Sequence, residues 1–463
     1  MAESWATFGV DLHLDRSGPG LRRGLTDALR EAVRSGRLAP GTRLPSSRSL
    51  AADLGVARNT VTEVYADLTA EGWLTARRGS GTRVADRTPA TPDSRPAPHR
   101  REPAPPAYDL VPGTPELASF PRTRWLKAAR RALAAAPDRA LGYGDPRGRA
   151  ELRTALAGYL SRARGVHAVP DRIVVCAGFA GGLGVLAELL RHRGVRSVAV
   201  ESYGLPHHRR LLTRAGLGTP PLPFDDHGTR PPGDGPAAAG AVLLTPSHQF
   251  PMGLTLPPER RTALIDHARR TGALVLEDDY DGEFRYDRQS VGALQSLDPD
   301  RVVYLGTASK SLAPGLRLGW LVLPPALVED AMDAMAGRAP GVLDQLTLAE
   351  FLRSGDYDRH VRAARLRYRR RRDALVAALA ERAPGVRVTG IAAGLHAVLR
   401  LPPGTEQQVV RAAAWHGLAV HGLSVFRHPE ADVAPLDALV VGYGTPPDHA
   451  WTGALDALCR ALP

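Results

Sequence analysis

The sequence predicts an α/β protein in two folded parts, and three observations carry that prediction. Apolar runs of three or four residues alternate with amphipathic helical stretches across residues 108–463. A basic, helix-rich segment ending in a Gly-rich turn occupies residues 16–84, with 12 Arg against 6 acids. Between them, residues 86–107 are crowded with proline and lack apolar periodicity. Such a segment cannot build a core and reads as an extended linker, able to span up to ~70 Å at ~3.1 Å per residue. The expected parts are therefore 1–85, 86–107 and 108–463.

In the first part, Leu21, Leu25, Leu29 and Val33 recur at every fourth residue and predict an amphipathic helix over 21–36. Ser46 or Ser47 can cap a second, short helix that Gly55 ends. A third helix is expected from about residues 57–60 to Glu71. Two short helices joined by a tight glycine turn describe a helix-turn-helix. Arg58, Asn59, Thr60 and Thr62 stand at the start of its second helix, the part that reaches base edges and phosphates. Residues 72–84 then read as two short strands around a basic turn, a wing that carries Arg77 and Arg78 toward phosphates or the minor groove. A small helical unit with a solvated arginine face is the alternative.

In the last part, Ile173–Val175, Val198–Val200, Ala241–Leu244, Leu274–Leu276 and Val302–Leu305 read as buried strands. Strands alternating with helices imply a largely parallel sheet covered on both faces, with ligands at the carboxyl ends of its strands. The polar segments of this part follow those runs directly. Arg359 to Arg372 holds eight arginines on one predicted helix and reads as a solvated helix face.

Lysine is nearly absent. Of 60 basic residues only Lys127 and Lys310 are lysines. Arginine cannot act as an amine nucleophile, whereas a lysine amine forms a Schiff base with an aldehyde. Lys310 lies in Gly306-Thr307-Ala308-Ser309-Lys310-Ser311, seven residues before Arg317. A retained surface charge is the alternative reading. The strand at Leu274 runs into Glu277-Asp278-Asp279-Tyr280-Asp281. Four acids in five residues can bind a metal, yet no His/Cys pattern or EF-hand spacing accompanies them, and no metal is expected. Their other use is as partner for a cationic ring: pyridoxal phosphate needs a carboxylate at its pyridine nitrogen. Asp278 and Tyr280, two apart on an extended strand end, point to one side. A helix start after Cys176, with Gly178 and Phe179, offers amides to an anion, and Thr307, Ser309 and Arg317 add hydroxyls and a guanidinium.

The stretch GRLAPGTRLPSSRSLAADLGVARNTVTEVYADLTAEGWLTARRGSGTRV resembles the winged helix of the GntR regulators. The resemblance implies a double-stranded DNA operator as partner, met by Arg48, Arg58, Asn59, Thr60, Thr62, Arg78 and Gly79. Residues 108 to about 445 resemble fold-type I aminotransferases in the form carried by the MocR-type regulators, on TPSHQFPMG, LEDDYDGEFRY, GTASKSLAPGLRLGW and LGYGDPRGRAELRTALAGYL. That resemblance implies pyridoxal 5'-phosphate as cofactor, with Lys310 as its Schiff-base lysine. It also implies Asp278 at the ring nitrogen, Tyr280 at the ring oxygen, and Gly178, Phe179, Thr307, Ser309 and Arg317 at the phosphate. It implies a homodimer in which Tyr143 reaches the phosphate of the neighbouring subunit. The chain departs from the pattern at Phe250, where aminotransferases usually carry Asn, and at Leu205, where a tyrosine is usual. Ala308 replaces a common Phe and is expected to leave room beside Lys310. Arg209 and Arg427 are the candidates for an effector carboxylate.

The expected function is a DNA-binding transcriptional regulator that senses pyridoxal phosphate, or an amine or amino acid reacting with it. A catalytically active aminotransferase carrying a DNA-binding module is the alternative. No apolar run approaches the ~18 residues of a membrane span. Two distant cysteines and the lack of a leader-like pattern at Met1 to Val10 fit a cytoplasmic setting. The net charge of +12 favours a polyanionic partner.

Overall fold

The computed structural model describes residues 20–77, 81–86, 106–233, 239–286, 291–335 and 337–463. The chain divides into two compact units, Met1–Ala104 and Pro105–Pro463. Most of the proline-rich stretch lies outside the described residues, as do Arg78 and Gly79.

In the first unit the helices are Leu21–Arg34, Ser47–Leu54 and Arg58–Ala70. Ser46 caps the second: its hydroxyl accepts the Ser49 amide at 3.1 Å. Gly55, at φ 66°, closes that helix in the left-handed region and turns the chain into the third. Strands Leu74–Arg77 and Gly81–Val84 pair antiparallel, so the wing strands form. Leu25, Leu29, Leu50, Val61, Val64, Leu68, Leu74 and Val84 converge on one buried core, which is what the fourfold leucine spacing anticipated.

The second unit is built on a six-stranded sheet, in the order Ile173–Cys176, Gly319–Val322, Val302–Thr307, Leu274–Asp278, Ala241–Leu244, Val198–Val200. All five expected runs are strands. The sixth, Gly319–Val322, was not anticipated; it runs antiparallel to both neighbours. Its residues are apolar, but Gly319 and Trp320 open it close behind the Lys310 segment, and the run is not among the expected strands. Side chains alternate across the sheet. Val174, Leu276, Val303, Leu305 and Leu321 pack under helix Gly178–His192. Ile173, Val175, Tyr304, Trp320 and Val322 face the opposite side, against helices Ala150–Arg164 and Val342–Arg353. With both faces covered, the runs read as continuously apolar rather than alternating.

A second, four-stranded antiparallel sheet (Arg387–Thr389, Ala397–Arg400, Ala438–Val441, His421–Gly422) was also not anticipated. It packs on helices Asp356–Arg382, Glu406–Trp415 and Trp451–Ala461. The arginine-rich run lies on the first of these, and its reading as a solvated face is corrected in part. Arg371 is buried, pairs with Asp448 at 2.5 Å and donates to the Tyr443 and Pro446 carbonyls. Arg365 donates to the Glu283 carbonyl. These arginines tie the helix to distant loops, contacts that helical spacing alone does not reveal.

Gly319 brings the central strands against the start of helix Gly178–His192. A Cβ there would lie 2.8 Å from the Gly178 carbonyl carbon and 3.1 Å from the Gly306 oxygen, both backbone and unable to yield cheaply. Gly319→Ala is expected to cost about 2–3 kcal/mol and to lower Tm by roughly 5 °C; a thermal melt unchanged from the wild type would refute this close packing.

Candidate functional site

The carboxyl ends of the central strands open into a cavity of about 970 Å³, its mouth included. Asp278 ends strand Leu274–Asp278, and Thr307 ends strand Val302–Thr307. The short loop after Thr307 carries Ser309 and Lys310, and the three residues enter the cavity with Phe179, Asp278 and Tyr280. Lys310 donates from Nζ to the main-chain carbonyl of Gly113, 197 positions away.

The four acids of the Glu277–Asp281 cluster go to four different places. Glu277 accepts the Leu294 and Gln295 amides at 2.7 and 2.8 Å. Asp279 pairs with buried Arg164 at 2.6 and 2.9 Å and accepts the Tyr304 hydroxyl at 2.8 Å. Asp281 lies 2.8 Å from His248 Nδ1. Asp278 alone turns its carboxyl to the cavity. Its Oδ1 is buried with no hydrogen-bond partner. Burial pushes its pKa well above the carboxylate range, and Asp279, Asp281 and Glu201 add to that while Lys310 opposes it. A buried carboxylate oxygen left unpaired costs free energy that a cationic donor would recover.

Burial lowers the Lys310 pKa from the ordinary lysine value of 10.5, with Asp278 and Asp281 pulling it back up. A desolvated lysine holds more free amine at neutral pH, the form that attacks an aldehyde.

An anion cradle adjoins. Gly178, at φ 72°, begins a 15-residue helix whose first amides have no helical partner. Arg317 sits beside it: a Cβ on Gly178 would be 3.8 Å from Arg317 Nη1. Arg317 is the one non-glycine residue with positive φ, 52°, among the described residues. Such a conformation costs of order 1–3 kcal/mol and persists where the surroundings hold it. The Thr307 and Ser309 hydroxyls lie 2.8 Å apart.

The structure thus brings Gly178, Phe179, Asp278, Tyr280, Thr307, Ser309, Lys310 and Arg317 together. Tyr143 is not among them; its side chain is fully exposed on this chain. Ala308 is buried in the core cluster that holds Tyr304 and Trp320 and is not among the residues lining the cavity. Arg209 lines the cavity but donates to the carbonyls of Gly204, Phe426 and Arg427. Arg427 donates to the Ala431 and Val433 carbonyls.

Sequence reasoning passed over Glu201, His208 and His396, all on the cavity wall. His208 stacks on Phe179 at 4.4 Å between centroids, and burial lowers its pKa to about 3, so it stays neutral. The adjacent His207 and His208 carried no spacing that marked them.

In the first unit Arg48, Arg58, Asn59 and Thr62 are exposed and Thr60 is half-buried. Arg22, Arg30 and Arg34 pair with acids, while Arg48 and Arg58 form no ion pair among the described residues. Unneutralised charge therefore lies on the helix pair, and also at Arg43 and Arg83 beside the wing.

The family described as Aminotransferase class I and II matches residues 113–432, and bacterial regulatory proteins of the gntR family match residues 21–84. The chain is 36% identical to the HTH-type pyridoxine biosynthesis transcriptional regulator PdxR of Corynebacterium glutamicum over 91% of each chain. It is 32% identical to the "Probable rhizopine catabolism regulatory protein MocR" of Rhizobium meliloti, over 93% of this chain and 92% of the other. The chain belongs to the MocR-type family of transcriptional regulators. The large unit of this MocR-type chain has the aminotransferase fold. Pyrococcus horikoshii kynurenine aminotransferase matches it at TM-score 0.67 and 25% identity, over 76% of this chain and 90% of that one.

The Lys310 environment sets a pH dependence. The reactivity of Lys310 toward an aldehyde reagent is expected to rise with pH through a midpoint below 10.5. Asp278→Asn removes an anion that favours the ammonium, so the midpoint should fall further. Stopped-flow absorbance against pH measures both; a midpoint that rises in the variant would contradict the arrangement.

Proposed function

We propose that this chain is a DNA-binding transcriptional regulator whose large unit binds pyridoxal 5'-phosphate and reports it, or an amine or amino acid that reacts with it, to the winged helix. The observation that carries the reading is the unpaired buried oxygen of Asp278 in the same cavity as Lys310. A protonated pyridine nitrogen is the donor that oxygen lacks. Bound there, the cofactor supplies an electrophilic aldehyde and an electron-withdrawing ring. Lys310 holds it covalently, Asp278 keeps its ring nitrogen protonated, and Tyr280 faces the ring oxygen. The start of helix Gly178–His192 with Phe179, Thr307, Ser309 and Arg317 takes the phosphate. The resemblance to a pyridoxine biosynthesis regulator favours the cofactor itself as the signal. So does the engagement of Arg209 and Arg427 with main-chain carbonyls, since a ligand carboxylate would have to displace them. An active aminotransferase is the second reading, favoured by the shared fold and by the full set of core cofactor side chains.

The working form is a homodimer in the cytoplasm. Tyr143 is fully exposed, and Leu126, Leu133, Leu141 and Leu343 are each about half exposed. A second copy would cover these side chains and place Tyr143 at the neighbouring phosphate. Arg48, Arg58, Asn59, Thr60 and Thr62, with Arg78 and Gly79 of the wing, contact the DNA. Occupancy shifts operator affinity only by the difference in cofactor affinity between the two states.

Added pyridoxal phosphate is expected to give a near-visible absorbance band that Lys310→Ala abolishes; a wild-type protein without the band defeats the cofactor reading. Steady turnover of an amino acid with a 2-oxo acid would favour the enzyme. Arg58→Ala should weaken operator binding about tenfold at fixed salt. Unchanged affinity in a fluorescence-anisotropy titration would count against the helix assignment.

A further inference from the structure

Tyr280 is held from behind. Its hydroxyl lies 3.1 Å from His248 Nδ1, and the same nitrogen lies 2.8 Å from Asp281 Oδ2. His248 and Asp281 are both buried. The His248 ring runs nearly parallel to the Tyr280 ring, 25° apart, and packs against His396 at 4.9 Å between centroids. Gly394 closes the flank: a Cβ there would stand 2.5 Å from both His248 Nδ1 and Asp281 Oδ2. Phe250 meets the Tyr280 ring edge-on at 6.0 Å and offers no hydrogen-bond donor.

We propose that Asp281 and His248 are a positioning pair that reserves the Tyr280 hydroxyl proton for a ligand oxygen in the cavity, a proposal that rests on the pyridoxal phosphate reading. One nitrogen cannot both donate to Asp281 and accept from Tyr280. With Asp281 a carboxylate, Nδ1 carries the proton and donates to it. Nδ1 then has no lone pair for Tyr280, whose O–H is left to choose between the Asp281 carboxylate, already engaged by His248, and an oxygen in the cavity. The Nδ1 proton also lies within reach of the phenol oxygen, which makes that hydroxyl a better donor. Asp281 is itself within hydrogen-bonding reach of Tyr280; the His248 proton occupies that carboxylate, and without His248 the hydroxyl proton turns inward to it.

Around this pair stand Asp278 and Glu201 on the acidic side, Lys310 and His396, and the Tyr286 and Tyr443 phenols near Asp281. A donor at the cofactor ring oxygen stabilises its anionic, proton-poor form and so lowers the pH midpoint of the bound-cofactor spectrum. His248→Phe keeps the ring and the Asp281 charge but deletes the nitrogen. It should raise that midpoint by roughly 1 pH unit.

The test is an absorbance titration against pH of the full-length, cofactor-loaded protein and its variants. Tyr280→Phe and His248→Phe should raise the midpoint alike, and the double variant should add nothing further. His248→Asn, whose amide N–H occupies the Nδ1 position, should restore the wild-type value, which a purely structural role would not produce. Should His248→Phe not fold, His248→Gln takes its place, because its amide overshoots that position. A His248→Phe or His248→Gln midpoint equal to wild type, or a His248→Asn midpoint as displaced as theirs, overturns the pairing. A wild-type protein with no band removes the cofactor reading and this proposal together; a band with an unmoved midpoint removes this proposal alone.

Discussion

A carboxylate and an amine face each other inside a protein core, and the large unit is organised around keeping both there. Burial disfavours the charged form of both Asp278 and Lys310, and each opposes that shift in the other. Burying an ion costs several kcal/mol after relaxation, which only a rigid, well-covered sheet can sustain. The two apolar layers on either side of the six strands provide that cover. The unpaired oxygen of Asp278 is the residue of that arrangement, and it gives the cavity its chemical character: a place for one more positive group.

The same logic sorts the neighbouring acids. Asp279 follows Asp278 by one position, leaves the strand in the opposite direction and meets Arg164, while Glu277 on the strand binds loop amides. Alternation along a strand separates charges that are adjacent in sequence. Three of the four acids thereby hold loops and helices in place, and one faces the cavity. In the first unit, arginines of helix Leu21–Arg34 are neutralised by acids, while those of the helix pair remain open to a polyanion.

Much of this was legible in the residues. The apolar runs marked five strands, the fourfold leucine spacing marked the first helix, and the rarity of lysine drew attention to Lys310. Local chemistry read well because it depends on neighbours in sequence. What stayed hidden depends on distant partners. The Gly113 carbonyl that holds Lys310 is 197 positions away, and the antiparallel place of strand Gly319–Val322 is set by the two strands it joins. Ala308 belongs to the buried cluster of Tyr304 and Trp320, a matter of packing that no substitution pattern announces. His248 stood in a noted motif, yet its role depends on Asp281, 33 residues on.

The most direct measurement is the protonation state of the ring nitrogen in bound pyridoxal phosphate, read from ¹⁵N-labelled cofactor by NMR at pH 7 to 8. The account predicts a protonated, pyridinium-like nitrogen in the wild-type protein and an unprotonated one in Asp278→Asn. A ring nitrogen that is unprotonated in the wild type would contradict the role given to Asp278.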